Sequence, residues 1–284
     1  MSATLAVRLI EPLVFVASII VLVKLSLPYA NPLLVTFRPV VRTFTRRNYF
    51  IYIMIGLAVI LADTILTAID HRFTERVVAL FGQDFTELIW RIEGEWVAVF
   101  QRWTWAPLTW FLAWAYVIVF SAAVPWTMAV FDYLGETRRN VAVLVGYIMN
   151  YLLVLPFYIA FPVRECHAYA PGGRQFVRLA LDDLHPAIMQ VLRPLSGIDN
   201  CFPSFHTSLV VTMALFAWDS GRKAFAAVMS VMMISIMFST LYLGIHWATD
   251  VAAGVVVGVL AWFLGERLGG KLWARWSRRS LAAD

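Results

Sequence analysis

Along this chain, polar and apolar positions segregate into blocks the length of membrane spans rather than single helical turns. Apolar runs fall at about 50–69, 107–131, 141–163, 204–218, 224–243 and 249–267. A helical crossing of the hydrocarbon core takes about 20 mostly apolar residues, so these runs predict six core spans. An earlier stretch, 12–36, is apolar but interrupted by Lys24, Pro28 and Pro32. It either spans or lies in the interface. Residues 72–104 show a different pattern. Phe81, Phe85, Leu88, Ile92, Trp96, Val99 and Trp103 recur at helical spacing among Arg72, Arg76, Asp84, Glu87, Arg91, Glu93 and Glu95. That spacing predicts an amphipathic helix in the membrane interface. Packing on the membrane and the bundle is its simplest role.

The predicted fold class is therefore all-α: a polytopic bundle of six core transmembrane helices, an N-terminal hydrophobic helix and an interfacial amphipathic helix. Residues 1–48 are read as the N-terminal helix with its basic loop, 49–268 as the membrane-embedded bundle and 269–284 as a basic tail. Within the bundle, 72–106 is the interfacial segment and 164–203 a loop on one face. No internal repeat, low-complexity stretch or soluble domain is evident, and the start lacks the small-residue cleavage site of a signal peptide.

Composition agrees. The chain is 61% hydrophobic and 14% charged, with a mean hydropathy of +0.74, against roughly 45–50% and about 25% in soluble domains. An ordinary soluble domain is excluded. The net charge of +5 reflects arginines that flank apolar runs, which topology explains better than nucleic-acid binding. One set of loops holds Arg38, Arg42, Arg46 and Arg47, then Arg138 and Arg139, then Arg222 and Lys223; the tail adds Arg267, Lys271, Arg275, Arg278 and Arg279. Because Lys and Arg are retained in the cytoplasm, the C-terminus is expected there and the 164–203 loop outside or in a lumen. His71, His167, His185, His206 and His246 then sit on or near that outer side. Lys24 and Asp63, placed inside apolar stretches, are expected at similar depth and facing each other. As charges on an ion path they would instead suggest a transporter or channel, a reading that leaves the histidines unexplained.

Two stretches carry candidate chemistry. Asn200-Cys201-Phe202-Pro203-Ser204-Phe205-His206 opens an apolar run. Proline suits the first turn of a helix, and the free N–H groups of that turn suit a phosphate. Ser204 adds a hydroxyl, and His206 could hand a proton to a leaving oxygen. A capped helix with an interfacial histidine is the plainer alternative. The second stretch, Ser239-Thr240-Leu241-Tyr242-Leu243-Gly244-Ile245-His246-Trp247-Ala248-Thr249-Asp250, joins two runs on the same side. On one helix, His246 and Asp250 would share a face, the carboxylate holding the Nδ1 proton and leaving Nε2 to attack. Capping of the next span is the plain role of Asp250. A metal held by His206, His246 and Asp250 is disfavoured, since there is no carboxylate beside His206 and no HExxH or CxxC pattern. No metal and no cofactor is expected. Cys166 and Cys201, the only cysteines, share the 164–203 loop as a disulfide candidate or as two thiols. Gly254-x3-Gly258 reads as a small-residue seat for a neighbouring helix.

Together the two stretches resemble the type-2 phosphatidic acid phosphatase superfamily over residues 140–265. Its Pro-Ser-x-His motif matches residues 203–206, and its Ser-Arg-x5-His-x3-Asp motif matches Ser239, His246 and Asp250. The resemblance implies a metal-independent lipid phosphatase or phosphotransferase, with His246 as nucleophile, Asp250 as its partner and His206 as general acid. With a lipid as substrate, the alternative role of the amphipathic segment at 72–104 is to admit it. Thr240 stands where that family has arginine, and its Lys-x6-Arg-Pro motif is absent. The wording Ser-Thr-x-Tyr-Leu and Asn-x-Phe-Pro-Ser is similar to the aureobasidin-resistance branch, the inositol phosphorylceramide synthases. That branch implies a phosphoinositol-type headgroup moved to a lipid or polyol hydroxyl, with water as acceptor in the phosphatase alternative. The absent cations need replacements. Arg164 and Arg174 are the candidates, with Arg178 and Arg193 as loop charges, and Ser204, Asn200 and Ser239 complete the expected substrate contacts.

Overall fold

The computed structural model describes residues 3–45, 75–76, 78–81, 84–186 and 201–281. Among them all regular structure is helical. Helix α1 is Ala3–Ser26, α2 Pro32–Thr45 and α3 Thr86–Glu93. Then come α4 at Ala106–Tyr133, α5 at Thr137–Ala160, α6 at Phe205–Asp219, α7 at Lys223–Tyr242 and α8 at Ala248–Leu281. Four helices, α4, α5, α7 and the first 30 residues of α8, are long and apolar enough to cross a membrane. The chain is a membrane protein. The span expected at 50–69, with Asp63 and His71, lies outside the described residues.

Helix α6 is the exception among the expected spans. It has 15 residues, too few for a full crossing. Nearly all of its side chains from Thr207 to Ala217 are buried, because α4, α5, α7 and α8 all pack against it. A helix that is apolar all round belongs at the centre of a bundle. Tight turns at Ser220–Arg222 and Leu243–Trp247 join α6 to α7 and α7 to α8. One down-and-up excursion therefore returns His246 to the end of the bundle where His206 began.

The N-terminal stretch differs from the single element expected at 12–36. The chain breaks at Leu27–Asn31, where Pro28 has no N–H to continue α1. Helix α2 restarts with Pro32 in its first turn, and the Asn31 side chain accepts the N–H of Leu33 at 3.0 Å. The indoles of Trp114 and Trp126 donate to Ser18 at 2.9 Å and Ser26 at 3.1 Å, so α1 runs alongside α4 in the same direction. Arg38 and Arg42, expected as loop charges, are instead helical and half-buried, both paired with the buried Asp132 at the far end of α4. Helix α2 turns its arginines inward and leaves Leu33, Leu34, Phe37, Val40 and Val41 exposed, the sense required of a helix bathed in lipid. Lys24 donates to the Pro28 carbonyl at 2.7 Å; its expected partner Asp63 is outside the described residues.

Nor do the described residues of the interfacial segment, expected at 72–106, form one amphipathic helix. From residue 84 on they are the short α3, a reversal at Gly94 with φ +61°, and a 3₁₀ turn at Trp96–Gln101. A glycine at positive φ with ψ −143° cannot continue a right-handed helix, so the helical period of the sequence is cut there. Trp96, Trp103 and Trp105 remain exposed, as suits the membrane interface.

Candidate active site

Both histidines owe their positions to how a helix begins. Ser204 has extended φ/ψ, and its hydroxyl oxygen accepts the Thr207 N–H at 3.2 Å, which makes it the N-cap of α6. Pro203 thus precedes the cap rather than standing in the first turn as expected. The cap uses a lone pair of Ser204 and leaves its hydroxyl proton. By helix geometry the N–H groups of Phe205 and His206 have no acceptor one turn back. The His206 ring stacks on Tyr116 at 4.2 Å and 15° and against Phe120 at 4.0 Å. Tyr116 lies in a stretch of wider π-type turns at Ala115–Val119 of α4, an irregularity that functional sites often carry.

His246 lies in the turn between α7 and α8. Its N–H and that of Ile245 both donate to the Thr240 carbonyl, at 3.1 and 3.0 Å. Gly244 makes this turn possible. Its φ is +78°, and a Cβ there would stand 2.4 Å from the Arg178 carbonyl oxygen. His246 and Asp250 are not on one helix, as the shared-face argument required, because α8 begins only at Ala248. They meet nonetheless. One oxygen of Asp250, Oδ2, accepts the Trp247 N–H at 2.8 Å and faces His246 Nδ1 at 3.3 Å. Capping and orientation, weighed as alternatives on sequence, are done by the same atom. A carboxylate can only accept, so Nδ1 carries the proton and Nε2 is left free. The two imidazoles face each other with centroids 5.9 Å apart. The Ser204 N–H donates to the Asp250 carbonyl at 3.0 Å, tying the two helix starts together.

The remaining candidates fall elsewhere. Arg164 gives its guanidinium to Asp84 at 2.6 Å and is 52% exposed. Its backbone is at the site: its carbonyl accepts the Trp247 indole at 2.9 Å and the Cys201 thiol at 3.2 Å. Arg174 pairs with Glu95 and Arg178 with Asp183. Ser239 is buried and its hydroxyl donates back to the Ile236 carbonyl. Thr240 does the same to Met237. Asn200 and Arg193 lie outside the described residues. Cys166 and Cys201 are unbridged and buried; the Cys166 thiol contacts the His246 carbonyl at 3.5 Å. Burial pushes both thiols well above the ordinary range, and the Asp250 charge adds to it.

Cys201, His246 and Asp250 offer three ligand atoms within 4.8 Å of one another. The set fits a metal poorly. Its carboxylate and imidazole already engage each other through Asp250 Oδ2 and His246 Nδ1, and that same oxygen caps the Trp247 N–H, so a metal would have to break the pairing that orients the imidazole.

Sequence reasoning missed the groups that hold the site from outside. Tyr116 and Phe120 are hidden in an apolar run whose period says nothing of what they touch. Gln101 donates to the carbonyls of Arg178 at 2.7 Å and Tyr242 at 3.0 Å, stitching the loop to the end of α7. Trp90 packs on Phe176 at 4.8 Å and Trp247 at 6.3 Å. Glu93, counted only as one polar position of an amphipathic pattern, accepts two backbone N–H groups at the start of α8. Burial raises its carboxyl above the ordinary value, the two amides oppose that, and the Asp250 charge adds to it.

Residues 141–273 match the PAP2 superfamily, a stretch that includes both histidines and Asp250; the match supports that superfamily and suggests a phosphatase-type enzyme. No curated protein and no solved structure matches the chain.

Proposed function

We propose that this protein is a lipid phosphoesterase that transfers a phosphoryl-type group through His246, without a metal. The observation that carries the reading is the facing pair of imidazoles, 5.9 Å apart, one of them bonded through Nδ1 to a buried carboxylate. Nε2 of His246 attacks phosphorus, and the bond from phosphorus to the departing lipid oxygen breaks. His206, protonated, gives that oxygen its proton. The neutral His206 then takes the proton of an acceptor hydroxyl, whose oxygen attacks phosphorus as the phosphorus–nitrogen bond opens. The first-turn amides of α6 and the Ser204 hydroxyl supply donors for the phosphate oxygens. Arg164 and Arg174 serve the same end only by leaving Asp84 and Glu95, with Asn200 and Ser239 as further substrate contacts.

A phosphoinositol-type headgroup transferase is the favoured form, on the wording of the two motifs. Tyr116 and Phe120, packed on His206, give that side of the site an apolar wall, which suits an organic hydroxyl as acceptor. The phosphatase form, releasing inorganic phosphate to water, is supported by the superfamily match. The working unit is residues 49–268, the histidine end facing the extracytoplasmic or lumenal side and the C-terminus the cytoplasm, as loop charges argue.

The test is product analysis by mass spectrometry on a lipid panel, with a released-phosphate assay run in EDTA. His246→Ala should abolish turnover, and acid-labile phosphate should be trapped in wild type or His206→Ala but never in His246→Ala. Loss of a general acid costs about 10²–10⁴ in rate, so His206→Ala should keep a trace with activated leaving groups. Full activity in His246→Ala would sink the mechanism, and loss of activity in EDTA its metal independence.

A further inference from the structure

One carboxylate reaches the catalytic turn from a separate element, 155 residues away in sequence. Glu93 Oε1 accepts the Ala248 N–H at 2.7 Å, and Oε2 accepts the Thr249 N–H at 2.9 Å and the Thr249 hydroxyl at 3.2 Å. These are first-turn amides of α8, which no intrahelical acceptor can satisfy, and a carboxylate is favoured beside them by the helix dipole. Asp250 takes the amide of Trp247. Between them, Glu93 and Asp250 close three successive amides directly after His246.

Glu93 is itself held. Phe85 N–H donates to the Pro162 carbonyl at 2.9 Å, and Thr86 accepts the Arg164 N–H at 2.9 Å. Gly94 then turns the chain away, leaving Glu93 as the last residue of α3. The segment that looks like a raft on the membrane is thus bonded into the wall of the site.

We propose that Glu93 is a positioning residue: it fixes the first turn of α8 and with it the angle between His246 and Asp250. The inference rests on His246 and Asp250 having the roles given above. Without Glu93, the Ala248 and Thr249 amides lose their acceptors, and the start of α8 is held only by the Asp250 cap, the Ser204 N–H and the Trp247 indole, so the imidazole that Asp250 orients can swing. A displacement of about 1 Å at a reacting group can cost about 10² in rate. Ground-state contacts to the phosphate oxygens, made by the first turn of α6, are left unchanged.

That asymmetry gives a test that needs no knowledge of the natural lipid. Orthovanadate adopts the five-coordinate geometry of the transferring group and inorganic phosphate does not. Their affinities are read by tryptophan fluorescence on the purified full chain in detergent, with Trp247 as reporter beside His246. Glu93→Gln, which keeps the shape and loses the second acceptor, should weaken vanadate by about tenfold or more, since only transition-state contacts are lost, and phosphate by less than about threefold. Glu93→Asp should recover part of the loss. Glu87→Gln, on the same helix and bonded to Tyr169, should alter melting temperature while keeping the vanadate preference. His246→Ala should lose the preference altogether. A wild type without the preference, or a His246→Ala that retains it, overturns the underlying reading. If His246→Ala loses it while Glu93→Gln matches wild type, or weakens both anions equally, only the positioning role fails.

Discussion

Gly254→Ala offers the sharpest test of how the two histidine helices are set against each other. Helix α8 meets α6 through Gly254 and Gly258, the pair read from sequence as a seat for a neighbour. A Cβ at Gly254 would stand 2.6 Å from the Ser204 carbonyl oxygen and 2.9 Å from Thr207 Cβ. One at Gly258 would stand 2.5 Å from the Ser208 carbonyl oxygen and 2.8 Å from Val211 Cβ. The nearest obstacle in each case is backbone, which cannot rotate aside. Ordinary contact begins at 3.4 Å, so alanine at position 254 forces the helices apart by about 0.8 Å. Overpacking of this kind costs about 1–3 kcal/mol, and both variants should show it as a lowered melting temperature. The rates should separate them. Gly254 lies one turn from Asp250, opposite the residue that caps the His206 helix and bonds the Asp250 carbonyl. A shift near 1 Å there should lower kcat by about 10². Gly258 lies a turn further from the chemistry, where Thr212 bonds its carbonyl at 2.9 Å, and should lower kcat by a smaller factor at a similar loss of stability. The measurements are kcat and thermal unfolding of both variants in detergent. Wild-type kcat and melting temperature in Gly254→Ala, or equal rate losses in the two, would refute the close-packing argument.

Two further outcomes are expected. Arg164→Ala and Arg174→Ala should lower activity severely if these side chains leave their carboxylates for the substrate, with lysine restoring only part because it lacks the bidentate fork; mild, equal effects at 164, 174 and the control 178 would return all three to structural pairing. Single cysteines near position 170 should react with impermeant reagent from outside and those near 222 only from inside, and the reverse pattern would move the site to the cytoplasm.

The sequence by itself carried the helices at 107–131, 141–163, 224–243 and 249–267, because the length of an apolar run is a local property and lipid demands it. It carried the sharing of one end by His206 and His246, since a single excursion through α6 and α7 leaves no other choice. The start of a helix near Pro203 was legible for the same local reason, but the sequence put Pro203 in its first turn, and only the structure showed Ser204 to be the cap. Tertiary structure decided what depends on partners distant along the chain. The stretch at 12–36 is two helices because Pro28 interrupts it locally, but the docking of α2, with Arg38 and Arg42 on the buried Asp132, needed the tertiary partner. The amphipathic period at 72–104 is real in the sequence but yields to Gly94 and to docking against Pro162 and Arg164. Asp250 reaches His246 by capping α8 rather than by sharing a helical face, a geometry that follows from where the helix starts and not from the spacing of four. Glu93 and Tyr116 stayed hidden altogether: which acceptor closes a helix start, and which ring covers an imidazole, is settled only when separate segments fold against one another.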